Sequence, residues 1–251
     1  MLTRNALSVT GFLATVLSVA AAFEPPLPWT QHPEATATIL EVPEETSMSL
    51  LSEEEQAIFT ISPKRQWGST STGSIFLCQY QNSSSVAYNE LIVASGTVQY
   101  SDYSGSYLKY FWVDNEDALE AGRDVWGLDK RRGEFTRTEG DGGEVVVEVV
   151  DVETGEVVIT AEYALPAGNR TLPVSTTLKS LSVLLDGSGE IVYTETDEAF
   201  GVNPELDIAY TVGERSPLAP LLLDGGVKFG ASSMLTKATM DVEEGVVVGK
   251  M

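Results

Sequence analysis

Lys130, Arg131 and Arg132 set three cations side by side in a chain that otherwise carries a large excess of acid, and a lysine among cations is a candidate nucleophile. They sit in the segment Gly122-Arg123-Asp124-Val125-Trp126-Gly127-Leu128-Asp129-Lys130-Arg131-Arg132-Gly133-Glu134-Phe135. An ordinary lysine, with a pKa of about 10.4, is protonated at neutral pH and cannot attack a carbonyl. Burial and like charge both disfavour the ammonium form and can together lower that value to roughly 5.5 to 7.5. An amine so prepared forms Schiff bases with carbonyl compounds. The same cations, read on charge alone, would equally pair with neighbouring acids on a solvated loop.

Other chemistries lack their residues. His32 is the single histidine, which removes sites that need several histidines and leaves histidine-based triads without support. No phosphate-cradling G-x-x-x-x-G-K-S/T occurs, and no dinucleotide fingerprint follows a strand. The acid-rich Asp114-Asn115-Glu116-Asp117 lacks the spacing and the glycine of a calcium-binding loop and reads as the start of a helix. A formal net charge of -22 argues against nucleic acid and anionic membrane surfaces as partners. It would also repel an anionic substrate, unless the cluster Lys130-Arg131-Arg132 focuses a carboxylate inward at a pocket mouth.

Two further blocks precede the basic segment. Tyr88-Asn89-Glu90-Leu91 comes first, and then Tyr107-Leu108-Lys109-Tyr110-Phe111-Trp112-Val113-Asp114-Asn115-Glu116-Asp117-Ala118-Leu119-Glu120-Ala121. In order and spacing over residues 88–135, these blocks resemble the acetoacetate decarboxylase superfamily. Its pattern is Y-x-E, a strand ending in V/L-D-N/S-E, then G-R-E/D and P-K-K or P-K-x. Acetoacetate decarboxylase is itself the standard instance of a lysine activated by a neighbouring cation.

The resemblance implies a role for each matching residue. The Schiff-base lysine falls on Lys130 and the second lysine, which depresses its pKa, on Arg131, where charge is kept and identity is not. The glutamate of Y-x-E falls on Glu90, where a carboxylate would position water, shuttle a proton or orient the imine. Arg123 is expected to orient the substrate carboxylate or, alternatively, to hold the loop. There are two departures. The usual proline before the lysine is Asp129, whose carboxylate would oppose the lysine's activation if it pointed inward. A second family glutamate would fall within residues 74–78, a run without an acid.

The expected scaffold is mainly β, with few short helices and antiparallel, barrel-like sheets of the acetoacetate decarboxylase type, often assembled as homo-oligomers. Residues 92–100 and 107–113 read as strands, and residues 115–124 as a short helix that delivers Lys130 on a loop. Residues 144–151 and 156–163 form one hairpin, 181–185 and 190–194 another. Val145, Val147 and Val149 make up an apolar set that should face the core. Residues 206–212 and 227–240 add strands, and residues 246–249 are too short to place. Ser52, followed by three glutamates, has the form of a helix start.

Upstream, residues 1–22 combine Arg4, an apolar run and Ala20-Ala21-Ala22, the pattern of a cleaved secretory signal. The sequons at Asn82 and Asn169 fit that route, which ends in secretion; a plastid route is disfavoured by the acids that follow. Residues 23–73 read as an extended and irregular lead-in, and residues 74–251 as the catalytic β domain. The lone Cys78, in an apolar run, is expected to be a buried and inert thiol.

The function expected is a carbon-carbon lyase acting on a keto acid through an imine at Lys130, with no metal or organic cofactor. Two alternatives share the scaffold. One is an imine-dependent aldolase or dehydratase; the other is a secreted, non-catalytic binder holding an apolar or carbonyl-bearing ligand in the barrel interior.

Overall fold

A computed structural model of the chain describes residues 29–31, 33–61, 70–81, 86–165, 172–183, 188–242 and 245–251. The expected signal at residues 1–22, His32 and the sequons at Asn82 and Asn169 lie outside them. In chain order the elements are β1 (Trp29–Gln31), β2 (Pro33–Pro43), α1 (Glu44–Ser49), α2 (Glu53–Ile58), β3 (Thr60–Ile61), β4 (Thr70–Tyr80), β5 (Tyr88–Tyr100) and β6 (Tyr103–Val113). Then follow α3 (Glu116–Trp126), β7 (Lys130–Glu139), β8 (Glu144–Asp151), β9 (Val157–Ala164), β10 (Leu172–Val183) and β11 (Glu190–Leu206). The last are β12 (Ile208–Thr211), α4 (Ala219–Leu222), β13 (Lys228–Val242) and β14 (Val246–Lys250). The fold is mainly β, as expected.

Long strands rich in β-branched and aromatic residues leave no polar backbone edge only if the sheet closes on itself. Here β5, β6, β10, β11, β13, β2 and β4 pair in turn and β4 returns to β5, giving a closed ring. Direction can alternate all the way round a ring only when the number of strands is even. A ring of these seven strands must contain a parallel neighbour, and it is β6–β10, with Ser180 opposite Ser106 and Leu181 opposite Tyr107. The sheet is therefore mixed, with β6–β10 the one parallel pair in a ring that is otherwise antiparallel, as expected. A second sheet, β7-β8-β9-β12, branches off where β7 runs parallel to β6 over Lys130–Arg132, with α3 as the crossover.

Strand alternation divides the barrel wall into two faces. Leu40 and Val42 of β2, Ile75 and Leu77 of β4, Leu91 and Val93 of β5, and Trp112 of β6 point outward and pack against Val145, Val149 and Ile159 of the branch sheet. The apolar set Val145, Val147 and Val149 is buried there, as its spacing predicts. The intervening residues, among them Phe76, Cys78, Glu90, Ile92 and Phe111, point into the barrel. A third cluster, with Phe59, Tyr107, Leu181 and Ile191, closes one end beneath α1 and α2.

Both expected hairpins form, β8–β9 and β10–β11. The helix start at Ser52 is a capping box, with Ser52 Oγ accepting from Glu55 N–H and the Glu55 side chain accepting from Ser52 N–H. Three readings change. Residues 23–73 were expected to be an extended and irregular lead-in, yet β2 is a full barrel strand between β13 and β4. Its alternation was masked by the flanking prolines and by Glu34 and Glu41. Lys130 opens a strand and does not sit on a loop. The C-terminal valines pair as β14 with β11.

Candidate active site

The lysine is delivered by a helix that starts and stops where its sequence dictates. Asn115 caps α3 by accepting from Ala118 N–H, Glu116 and Asp117 sit in its first turn, and Gly127 ends it in the left-handed region at φ 63°. The residue before the cap, Asp114, reaches across to β5 and accepts from Asn89 N–H at 2.8 Å and Asn89 Nδ2 at 2.6 Å. The Val-Asp-Asn-Glu element thereby holds the strand that carries Glu90 and starts the helix that leads to Lys130.

Four contacts then fix Lys130. Its N–H donates to Leu128 O at 2.7 Å, and its carbonyl accepts from Arg123 Nε at 2.9 Å and Nη2 at 2.6 Å. Its aliphatic chain lies across Gly122, where a Cβ would stand 2.3 Å from Lys130 Cδ and 2.4 Å from Cε. Only glycine leaves that passage open. The amine emerges inside the barrel, 4% exposed as a residue, and Nζ donates to Glu90 Oε1 at 2.6 Å.

Glu90 is 3% exposed and holds a second donor, Tyr80 Oη at 3.1 Å from Oε2. Tyr80 stacks on Tyr88 at 4.4 Å between ring centroids, and Tyr88 Oη accepts from Gln31 Nε2 at 2.8 Å. Burial, more than any neighbouring charge, holds both phenols well above their ordinary range, so they act as neutral hydrogen-bonding groups. The rings of Phe111 and Tyr88 lie 5.6 and 5.9 Å from Nζ. Around this group the barrel encloses a cavity of about 280 Å³, walled largely by apolar side chains including Phe76, Trp126, Leu235 and Met240.

The expected site residues separate. Lys130 and Glu90 meet, as the resemblance implied. Arg131 does not join them: adjacent strand residues face opposite ways, and its guanidinium lies 5.8 Å over Trp112 on the outer face. There it pairs with Asp129 at 3.6 Å, both side chains being substantially exposed. Asp129 thus points outward too. Arg123 grips the Lys130 carbonyl and is absent from the cavity wall, the structural alternative rather than the substrate-binding one. Cys78 is buried, its thiol pushed up first by burial and then by Glu90, in keeping with an inert group.

Sequence reasoning missed Tyr80, Gln31 and Gly122, and also Glu198. Along β11 the alternate residues Thr194, Thr196, Glu198 and Phe200 all line the cavity. Glu198 is 8% exposed, and burial pushes its carboxyl from 4.5 up to about 7. The period-2 pattern was the available signal; its phase was not readable without knowing which face was inside.

A sequence model of the family described as acetoacetate decarboxylase (ADC) matches residues 12–183. Among curated proteins, none matches this chain. Solved structures share its fold at low identity. Acetoacetate decarboxylase from Legionella pneumophila subsp. pneumophila aligns at a TM-score of 0.66 and 14% identity, over 98% of this chain and 99% of that one. An acetoacetate decarboxylase-like enzyme from Sphingomonas wittichii RW1 aligns at 0.61 and 13%, over 94% and 98%. The enduracididine biosynthesis enzyme MppR, complexed with the condensation product of pyruvate and imidazole 4-carboxaldehyde, aligns at 0.59 and 14%, over 97% and 98%. With the family pattern running through most of the sequence and the whole chain laid on the same barrel, this protein belongs to the acetoacetate decarboxylase family.

Proposed function

We propose that this protein is a Schiff-base-forming lyase that decarboxylates a keto acid at Lys130. The observation that carries this reading is the contact of Lys130 Nζ with Glu90 Oε1 at 2.6 Å inside an apolar cavity. An ion pair removed from water must justify its desolvation, and a solvent-excluded lysine-glutamate pair facing an open cavity is better suited to proton transfer than to stability.

The steps use these groups. A proton passes from Nζ to Glu90, and the neutral amine attacks the substrate carbonyl. Glu90 returns that proton to the carbinolamine oxygen, water leaves, and a protonated imine remains. Its nitrogen withdraws the electron pair of the breaking carbon-carbon bond as carbon dioxide departs, giving an enamine. Protonation at carbon and hydrolysis then release the ketone and restore the lysine, with one proton consumed overall. The Tyr80 hydroxyl holds Glu90 towards the lysine through this cycle. Apolar walls exclude competing water and strengthen each electrostatic contact.

Activation here differs from the neighbouring-cation scheme. Arg131 lies on the far side of the strand, so the local partner of the amine is a base, Glu90. The test is carbon dioxide release from a panel of β-keto acids. Wild-type protein is expected to turn over at least one of them, with Lys130→Arg and Glu90→Gln both inactive. Wild-type turnover that survives in Lys130→Arg would overturn the reading.

The non-catalytic binder remains as a second reading, favoured by Lys130 being tied to a carboxylate. Ligand uptake without turnover, unchanged in Lys130→Arg, would select it. The leader-like residues 1–22 support secretion as the setting, tested by sequencing the N-terminus of the exported protein.

A further inference from the structure

Glu198 enters the cavity from β11, across the barrel from the strands that bring Lys130 and Glu90. It is buried, and among the described residues no hydrogen bond offsets the burial that raises its carboxyl. Buried polar groups are almost always paired. An unpaired carboxyl aimed into a cavity is costly to the fold, and its atoms are available to whatever fills that cavity. Residues 74–78, where the family pattern has a second acid, hold none, but Cys78 in that run faces both Glu90 and Glu198.

We propose that Glu198 is the general acid that protonates the enamine carbon after carbon dioxide leaves, a role that moves the second acid of this site from β4 to β11. The inference rests on the imine chemistry at Lys130. The Glu198 carboxylic acid gives its proton to the carbon that held the departing carboxylate, the enamine electron pair forms the new C–H bond, and Glu198 is left as a carboxylate. A proton from solvent recharges it. Run backwards, the Glu198 carboxylate removes an α-proton from the imine of a simple ketone. A carboxyl raised to about 7 by burial is half protonated near neutrality and suits both directions. When protonated, it adds no charge of its own to the cavity, so an anionic keto acid meets less repulsion than from a carboxylate.

The titratable groups facing it are Cys78 and Tyr80 from β4, Tyr88 and Glu90 from β5, and Lys130 from β7. Lys179 of β10 stands at the same wall, paired with Glu195 at 3.3 Å. The described β13 side chains on the wall, Leu235, Ala238, Met240 and Val242, do not titrate. Burial holds Cys78, Tyr80 and Tyr88 far above neutrality, so they cannot supply a transition near 7.

The test compares wild type with Glu198→Gln and Glu198→Asp in three assays. These are borohydride trapping with butanone, carbon dioxide release from a β-keto acid, and α-deuterium uptake by butanone in heavy water. Wild type is expected to trap, to lose decarboxylation above about pH 7, and to lose deuterium exchange below about pH 7. Glu198→Gln should trap an equal amount of adduct while both rates fall by about 100-fold or more and both pH limbs vanish; Glu198→Asp should restore part of each. Exchange in Glu198→Gln at the wild-type rate, or with its limb unchanged, overturns the proposal. Loss of trapping in Glu198→Gln also overturns it, since Glu198 would then serve imine formation or the fold. Absence of trapping in wild type defeats the imine reading itself, and this proposal with it.

Discussion

The barrel wall separates a filled side from a hollow side, and the buried carboxyls of Asp151 on the first and Glu198 on the second meet opposite surroundings. On the filled side Trp112, Leu40, Ile75 and Ile159 are fully buried, and Asp151 lies among them at 1% exposed. Asp151 accepts from Trp112 Nε1 at 2.8 Å, Glu153 N–H at 3.0 Å, and Thr154 N–H and Oγ1–H at 2.9 and 3.2 Å. Burial pushes that carboxyl up, but the hydrogen bonds outweigh it and hold it below its ordinary 3.8. On the hollow side Glu198 faces the cavity with no donor among the described residues and is driven the other way. Alternation gives the barrel strands one face for each environment, with β8 of the branch sheet supplying Asp151 and β11 of the barrel supplying Glu198. Asp151 is a structural carboxylate surrounded by donors; on the working side Glu90 is held by Lys130 and Tyr80, while Glu198 is left without a donor among the described residues.

The largest expected effect comes from narrowing the hollow side. Gly122→Ala puts a methyl where Lys130 Cδ runs, so the amine must move. Displacing a reacting group by about 1 Å costs on the order of 100-fold in rate, against a stability loss of about 1 to 3 kcal/mol. Steady-state turnover and a thermal melt on the same variant separate the two, and unchanged turnover would show that Lys130 does not need this passage.

Breaking the filled side should reverse the balance. Asp151→Ala strands the Trp112 indole N–H and is expected to destabilise by about 3 kcal/mol at pH 7, with turnover per folded molecule preserved. Because the folded carboxyl is depressed, its stabilisation is present above 3.8 and is lost as pH falls through the lower folded value. Denaturant midpoints should therefore converge between mutant and wild type in strong acid; a pH-independent gap would mean that the charge contributes nothing.

Glu198→Gln tests the opposite sign. A carboxyl at about 7 when folded and 4.5 when unfolded binds its proton more tightly in the folded state, so stability falls as pH rises between those values and stays low above them. Removing the group should stabilise the protein by about 2 to 3 kcal/mol at pH 8 and by nothing at pH 4. A variant less stable than wild type at pH 8 would refute the hollow-side account. The smallest effect belongs to the surface: Arg131→Ala removes an exposed pair with Asp129 and should change stability by about 1 kcal/mol or less and turnover little. A large loss of turnover would restore Arg131 to the site.

What was legible in the sequence was local. The helix with its acidic start at 115–117, the helix start at Ser52 and the β8–β9 hairpin each depend on residues a few positions apart, and each appears as read. The pairing of Lys130 with Glu90 came from a family pattern, since 40 positions separate them in sequence and no periodicity links β5 to β7. Arg131 was misassigned because Lys130 was placed on a loop, where neighbours can converge; on a strand they diverge. Glu198 was overlooked because Glu195, Asp197 and Glu198 look alike as sequence, and only ring closure says which of them turns inward. Strand β2 was missed because Thr36 and Thr38, buried on the outer face with Leu40 and Val42, read as polar punctuation alongside the flanking prolines and Glu34 and Glu41.

The central claim is that the amine of Lys130 is the nucleophile. Borohydride reduction in the presence of a β-keto acid, followed by peptide mapping, addresses it directly. A single reduced adduct is expected on Lys130, absent from Lys130→Arg and absent without substrate. An adduct on another lysine, or none on Lys130 under conditions where carbon dioxide is released, would contradict the account.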